Sequence, residues 1–535
     1  MASKGKSKWL VVIILACAQF IMVLDSTVMN VSISQVVKDL NTSVSGLQAA
    51  ITFYTLTMAA LMLTGGKMGD IWGRLNAFKI GAVIYGIGSL ITALSPNLAT
   101  LMIGWSLVEG LGAVLVIPAI AALIAMNYQG KDRVLGYTLI GAASGIAVAA
   151  GPLIGGYVTT YLSWRYVFAA ETVIMAVVLM FSGSIIEKRQ KGPKTSIDIR
   201  SVLLSASGMG LLVFGILQSK TWGWITPQAL PEINGKEIAP LGISLVAYLI
   251  LFGVVILRSF YLRQKELEAA KANPLLRVSM FSIKVLRSGL AVLSAQYIIT
   301  SAVFFVMPIY LQMVLGLDAL ETGMKIFPLS VSIVIFSMVG SKLITRYSPK
   351  QIVRAGQLAL VGGSLLVLGA IDPELKGILF ALGMLVLGAG LGLLASQIGN
   401  VTMSSVSEDK TSEVGGLQGT FQNFGASLGT ALIGSIMIAN LTAGFITNIN
   451  QNPELPDNLK TSISDKAQAG VPIVSSPEVE QYALNAGLST NEADAITSSY
   501  ESSQLKSLKH AMFFVVILGL AAIALSRNIP SKKLT

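Results

Sequence analysis

Asp25 sits in the run Trp9–Met29, WLVVIILACAQFIMVLDSTVM, which is otherwise almost wholly apolar. Glu109 sits in a second such run, residues 98–122, within Ser106-Leu107-Val108-Glu109-Gly110-Leu111-Gly112. Runs of about 20 apolar residues are long enough to cross a bilayer as helices. A carboxyl there costs roughly 2.5–3.5 kcal/mol on insertion scales and normally faces a cavity or a partner, so its default reading is functional. The competing reading is a buried acid satisfied by neighbouring helices and kept for packing. The chemistry open to such a pair is narrow. Burial disfavours an ionised carboxyl and a nearby cation favours it, so a proton and a cation compete for the same oxygens. At 1.5 Å per residue Glu109 should lie about 16 Å from the outer end of its helix, near the midplane; Asp25, about 24 Å from the inner end of its own, should lie nearer the outer face. Glu171, near the outer end of the run 164–185, is a lesser candidate, better explained by an ion pair with Arg165 on one side of a helix end.

The elements that must position these acids are membrane helices. The chain has 535 residues, of which 53% are hydrophobic and 12% charged, with 52 glycines and a mean hydropathy of +0.71. Apolar stretches occur at 9–31, 45–64, 77–95, 98–122, 134–157, 164–185, 200–218, 239–257, 288–312, 324–344, 354–371, 375–398, 415–438 and 509–526, fourteen in all. With Lys4, Lys6 and Lys8 inside, most of the 38 Lys and Arg fall in cytoplasmic segments. That bias fits the positive-inside rule with both termini cytoplasmic. The run behind the N-terminal lysines is too long for a signal peptide and reads as a retained first span. The net charge of +11 lies in short loops and does not read as nucleic-acid binding. One cysteine, Cys17, and one histidine, His510, exclude an internal disulfide and the usual metal clusters. No nucleotide-binding Gly-x-x-x-x-Gly-Lys-[Ser/Thr] loop occurs, so no enzyme, cofactor, catalytic or metal centre is expected.

Three of the segments outside the spans stand out. Residues 258–287 form a basic, partly helical cytoplasmic linker suited to anionic headgroups. Residues 219–238 form an outer loop with interfacial Trp222 and Trp224. Residues 440–508 are polar and acidic on balance and should lie outside. Ser476-Pro477-Glu478 reads as an N-cap with proline at the first helical position, and Ser489 to Glu492 has capping-box spacing. Short helices there, the last running into span 14, compete with a disordered acidic loop.

The loop after span 2 reads Gly65-Gly66-Lys67-Met68-Gly69-Asp70-Ile71-Trp72-Gly73-Arg74. Its glycines allow a tight turn, and Asp70 and Arg74 can pair with each other or with helix ends. Through Gly66, Asp70, Gly73 and Arg74 it resembles the signature loop of the major facilitator superfamily. Gly151-Pro152-Leu153-Ile154-Gly155-Gly156 in span 5 is similar to the antiporter motif of the superfamily's drug exporters. Leu24-Asp25-Ser26-Thr27-Val28-Met29-Asn30-Val31 resembles the span 1 motif of its fourteen-span drug:proton antiporters, and the start of span 6, Trp164-Arg165-Tyr166-Val167-Phe168, also looks like that family. The resemblance implies an all-α membrane protein with two six-helix halves plus two inserted spans: residues 1–190, then 191–287 with the linker, then 288–535 including the loop 440–508. It also implies alternating access around a midplane cavity.

Span 4 departs from the family pattern. Where the resemblance implies Arg-x-x-Gln-Gly-x-Gly, Ser106 stands at the Arg position and Glu109 at the Gln position. Without that arginine nothing in span 4 holds Glu109 permanently ionised. Candidate cavity residues are Asn30, the methionines Met22 and Met29 flanking Asp25, Gln296, Tyr297 and Gln422. For each amide, interhelical hydrogen bonding is the commoner use, and for each methionine, core filling. The expected protein is a proton-driven exporter of small hydrophobic or cationic amphiphilic compounds, a monomer in contact with the lipids of the plasma membrane. Its rivals are a lipid exporter and a non-transporting sensor on the same fold.

Overall fold

A computed structural model of the chain describes residues 4–187, 196–228, 232–233, 236–407, 411–468 and 470–531. Among these residues fourteen helices are long and apolar enough to cross a membrane. Spans 1 to 6 are Trp9–Val31, Val44–Trp72, Arg74–Ala93, Leu98–Asn127, Leu135–Tyr161 and Arg165–Ser184. Spans 7 and 8 are Ile199–Trp222 and Leu245–Ala269. Spans 9 to 14 are Lys284–Val314, Ala319–Leu343, Pro349–Ala370, Gly377–Met403, Glu413–Gln451 and Thr490–Asn528. The first boundary expected between halves, at residues 190–191, lies outside the described residues, as does the basic run Lys188-Arg189-Lys191-Lys194.

Local chemistry sets the helix ends. The side chains of Ser43 and Asn97 accept backbone N–H bonds at the starts of spans 2 and 4. Asp318 with Glu321, and Ser348 with Gln351, form capping boxes at the starts of spans 10 and 11, satisfying amides that a helix start leaves unpaired. Spans 1 to 6 pack on one another, as do spans 9 to 14, and the two bundles meet along spans 2 and 13 and along spans 5 and 10. Small residues let helices close within each bundle as well. A Cβ on Gly425 or Gly429 in span 13 would fall within 3 Å of the backbone of Ser294 or Ile298 in span 9.

The inserted pair is placed asymmetrically. Span 8 packs on span 7, and span 7 lies over the seam between spans 2 and 13. There Met209, Val213 and Leu217 pack with Leu56, Ala59 and Ala431. Ser435 Oγ donates to the Ile216 carbonyl at 2.9 Å. Lys220 Nζ donates to Gln48 Oε1 at 3.1 Å, and Gln48 Nε2 donates to the Thr430 carbonyl at 2.8 Å. At the inner end Arg263 meets Asp198 at 3.0 Å and holds that carboxyl below the usual carboxylate range. The clamp is therefore present above that range and lost only as the pH falls through it.

The segments between spans differ in part from expectation. Trp222 closes the helix of span 7 and Trp224 is exposed. Beyond them two two-residue strands, Glu232–Ile233 and Lys236–Glu237, pair antiparallel. The linker begins as the inner end of span 8 and then folds back, with Leu275 and Leu276 N–H donating to Gln264 Oε1. Residues 440–508 are not a disordered loop. Span 13 belongs to one helix, Thr411–Gln451, and span 14 to another, Thr490–Leu525. Helices Asp457–Ala467 and Ser476–Asn485 lie between them. The Ser489–Glu492 box forms as expected. The other cap is Ser475 rather than Ser476, with Glu478 closing the box, so Pro477 falls at the second helical position. Tyr500 holds the connecting strand, donating to the Pro472 and Val474 carbonyls at 3.0 and 3.1 Å.

Candidate functional site: three acids inside the first half

Asp25, Glu109 and Glu171 meet. One carboxylate oxygen from each lies within 4.8 Å of the other two, and all three side chains are buried. Of their helices, spans 4 and 6 both pack on span 3, and span 1 packs on spans 4 and 6. A Cβ on Gly88 would fall 2.5 Å from the Glu109 nitrogen, and one on Gly112 would fall 2.5 Å from the Tyr85 nitrogen. Spans 3 and 4 therefore touch backbone to backbone on both sides of Glu109. Residues Met102–Glu109 are wound as π-helix, a feature often found at functional sites. It places Trp105 against Asp25 and lets Ser106, at the position where the resemblance implies arginine, donate to the Ala50 carbonyl of span 2 at 2.8 Å.

Each acid has a different set of partners. Trp105 Nε1 donates to both Asp25 oxygens, at 2.8 and 3.0 Å. Tyr54 stacks on the Trp105 ring with centroids 4.8 Å apart. Ser89 Oγ donates to Glu171 Oε2 at 3.4 Å. Both Glu109 oxygens, the other Glu171 oxygen and the Tyr85 hydroxyl have no protein partner. Among the described residues no Lys, Arg or His pairs with any of the three acids.

Two expectations are corrected here. Glu171 does not pair with Arg165. Six residues at 3.6 per turn put the two about 240° apart around the helix. Arg165 instead meets Asp39 at 3.3 Å and the Ser95 carbonyl at 2.9 Å. Asp25 also lies at the level of Glu109, not above it. Their carboxylate oxygens lie within 4.8 Å of each other, and span 4, at 30 residues, is longer than the hydrocarbon core requires, so a depth counted from its end overstates how far apart the two acids lie. Glu171, Trp105, Tyr54 and Tyr85 were not singled out from the sequence as partners of the acids. Only the i,i+4 spacing of Trp105 and Glu109 could have flagged the tryptophan.

The other candidates divide between seams and cores. Met22 and Met29 are buried. Asn30 donates to its own helix at the Ser26 carbonyl, 2.7 Å away. Gln296 reaches the Leu391 carbonyl at 3.5 Å with its own oxygen unpartnered. Tyr297 and Gln422 are half-buried. Gly151 and Gly155 face Thr27 and Val28 of span 1, and Gly156 faces Ala319 and Leu320. The Pro152 carbonyl abuts Gly323, so the motif presses span 5 onto spans 1 and 10. Hydrogen bonds also join the halves at the end that the charge pattern predicts to face outward. Gln312 Nε2 donates to the Val31 carbonyl at 2.7 Å and Gln312 Oε1 accepts from Ser34 N–H at 3.1 Å. Leu320 N–H donates to Thr160 at 3.1 Å. Toward the inner side the span 5–10 seam loosens: a Cβ on Gly145 would sit 3.5 Å from Val334, and one on Gly141 would meet nothing within 4 Å.

In the loop after span 2, Gly66 and Gly69 continue the helix and Gly73 alone makes the turn, at φ +94°. Arg74 pairs with Asp70 and donates to the Gly66 carbonyl at 3.0 Å. Its backbone N–H donates to Glu187, at the inner end of span 6. Every one of these partners lies in the first half.

Comparison with known proteins agrees with this architecture. The chain is 26% identical over 451 residues to the puromycin resistance protein pur8 of Streptomyces alboniger, covering 83% of this chain and 85% of that one. It is 26% identical over 438 residues to the tetracenomycin C resistance and export protein of Streptomyces glaucescens, covering 81% and 76%. It is 25% identical over 529 residues to the multidrug transporter protein MdtP of Bacillus subtilis, covering 98% and 93%. The crystal structure of a bacterial homologue of the human lysosomal transporter Spinster superposes with a TM-score of 0.60 at 13% identity, covering 99% of this chain and 98% of that one. A D-xylose–proton symporter superposes at 0.56 and 14% identity, covering 80% and 90%. Residues 15–430 match the Major Facilitator Superfamily. The protein is a multi-pass membrane transporter, not an enzyme, and the chain belongs to the major facilitator superfamily.

Proposed function

We propose that this transporter exports hydrophobic and amphiphilic compounds, cations among them, across the plasma membrane in exchange for protons, by alternating access, with both termini cytoplasmic. The observation that carries the coupling is the meeting of Asp25 and Glu109 in a buried space where no base faces them among the described residues. Carboxyls there are held in water's absence and must be neutralised by something that comes and goes. The resistance and export proteins among the relatives support the direction of transport. The bonds across the outer ends of the halves support an inward-facing state here. The test is the purified protein in liposomes under an imposed pH gradient, offered a cationic dye, a neutral amphiphile and a fluorescent lipid. Gradient-driven movement of the dye or the amphiphile is expected. Movement of the lipid alone would favour a lipid exporter working through the loosened span 5–10 seam, and no flux at all would favour a sensor.

The loop after span 2 acts as an inner latch in this scheme. When the cavity faces outward, Asp70 and Arg74 hold the inner ends of spans 2 and 3 against the second half. In the present state Arg74 is turned back on its own half. Asp70→Asn should raise the inward-open population, read as faster labelling of an inner-cavity cysteine in a Cys17-replaced background, with normal expression. The shift should be modest, since a substitution moves a two-state equilibrium only by its differential energy. Unchanged labelling with transport intact would reduce the loop to a tight turn.

A further inference from the structure

Resting on the proton-coupled reading, we infer that Asp25, Glu109 and Glu171 form a single proton store sealed within the first half, with Glu171 as its third carrier, and that in this outer-closed state it holds two protons and one negative charge. The titratable groups facing the store are these three acids from spans 1, 4 and 6, Tyr54 from span 2 and Tyr85 from span 3. None supplies a positive charge. Three carboxylates at this separation, out of water, carry a repulsion and a desolvation cost that no cation among the described residues offsets. One charge is provided for. Asp25 accepts the Trp105 N–H on both oxygens, and an acceptor of that kind favours the ionised form.

The other two acids have the opposite surroundings. Neither Glu109 oxygen makes a hydrogen bond, although the Tyr85 and Ser89 hydroxyls lie beside them, and Glu171 has only the long Ser89 contact. A carboxylate offers acceptors alone, whereas a carboxylic acid also has a donor. Protonated, Glu109 and Glu171 each gain an O–H to give to a neighbouring oxygen of the cluster. The Tyr85 hydroxyl supplies the second, independent sign that something is bound here. It belongs to no acid, is fully buried and lacks a partner, yet it lies against the Glu109 carboxyl. A hydroxyl left in that position is matched when Glu109 carries an exchangeable proton and the pair orients to share it.

The exchange balances simply. When the first half opens outward, hydronium gives up a proton, a carboxylate oxygen gains an O–H bond, and water is left. When it opens inward, that O–H bond breaks and the proton leaves as hydronium. The exported compound need touch none of the three acids, because all of them are turned into the bundle and buried.

Infrared difference spectroscopy on the purified full-length protein reads these protons without a substrate. At neutral pH the wild type should show two protonated-carboxyl stretching bands that shift slowly in heavy water. Glu109→Gln should remove one and Glu171→Gln the other, while Asp25→Asn should leave both. Glu171→Asp should keep a band at a shifted frequency, which guards against loss by misfolding. Two outcomes overturn the inference: a spectrum unchanged by Glu171→Gln, or bands abolished by sodium chloride at constant pH, which would put a metal cation where protons are placed. Either could occur while gradient-driven flux in liposomes persists, in which case the store is wrong and the export reading stands.

Discussion

Asp25→Asn should reduce proton-driven efflux to the level of passive leak while leaving the amount of folded protein near that of the wild type. Asparagine keeps the shape of aspartate and still offers an oxygen to Trp105 Nε1, so the span 1–span 4 contact and the Tyr54–Trp105 stack should survive. What disappears is the negative charge that the cluster keeps on Asp25 and that balances the protons held beside it. Glu109→Gln should lower coupling in the same assay. The two mechanisms available to the acids differ in one readout. If protons and a cationic substrate competed directly for Asp25, a neutral substrate would be spared. The buried site predicts that cationic and neutral substrates lose drive together, because neither reaches the acid. Efflux of a cationic dye and a neutral amphiphile from the same liposomes decides between them. Wild-type pH dependence in both Asp25→Asn and Glu109→Gln would place coupling elsewhere.

Gly112→Ala should be strongly damaging to the first half. The added carbon would fall 2.5 Å from the Tyr85 nitrogen and 2.7 Å from its Cα, and backbone cannot rotate away as a side chain can. Spans 3 and 4 would have to part where they hold Glu109. Overpacking of this kind costs typically 1–3 kcal/mol, occasionally more, and about 1.4 kcal/mol is tenfold in a folding equilibrium. The expected result is a several-fold loss of monodisperse protein after detergent extraction and a lower thermal midpoint. Gly141→Ala is the matched control. Its methyl would meet nothing within 4 Å, and alanine is the better helix former, so yield and midpoint should hold. Equal behaviour of the two variants would mean that spans 3 and 4 do not cross as described.

The span count was legible because a bilayer admits only long apolar helices, and hydropathy reports those directly. The caps at Ser489 and near Pro477 were legible for a related reason: their chemistry is local. The site was legible in part. Asp25 and Glu109 stand out because ionisable residues are rare in such runs. Glu171 does too, but an arginine six residues away offered an easy partner, and only the helical angle shows that the two face apart. Trp105 and Tyr85 leave almost no trace, since an aromatic in an apolar helix is ordinary until a neighbour's carboxyl is placed beside it. The shared depth of the acids was hidden by assuming helices no longer than the hydrocarbon core. Lys220 escaped notice because it ends its span, and its seat on Gln48 depends on how an inserted helix docks.

The helices that carry spans 13 and 14 have 41 and 36 residues, and both run without interruption from the transport bundle into the outer helical cap. Asn448 and Asn452 bind them side by side at Ser503 and Ser499, so the pair is a stiff boom rooted in the second half, which the proposed alternating access would tilt. A boom magnifies rotation: a small tilt of the second half at the bilayer centre becomes a much larger sweep at the exposed tip around Tyr482 and Leu484. The cap is therefore an external pointer to the working cycle. Spin labels or dyes fixed there and on the first half would follow each stroke from outside the membrane, and a rigid binding protein clamped to the tip would act as a brake on a motion whose origin lies far below it.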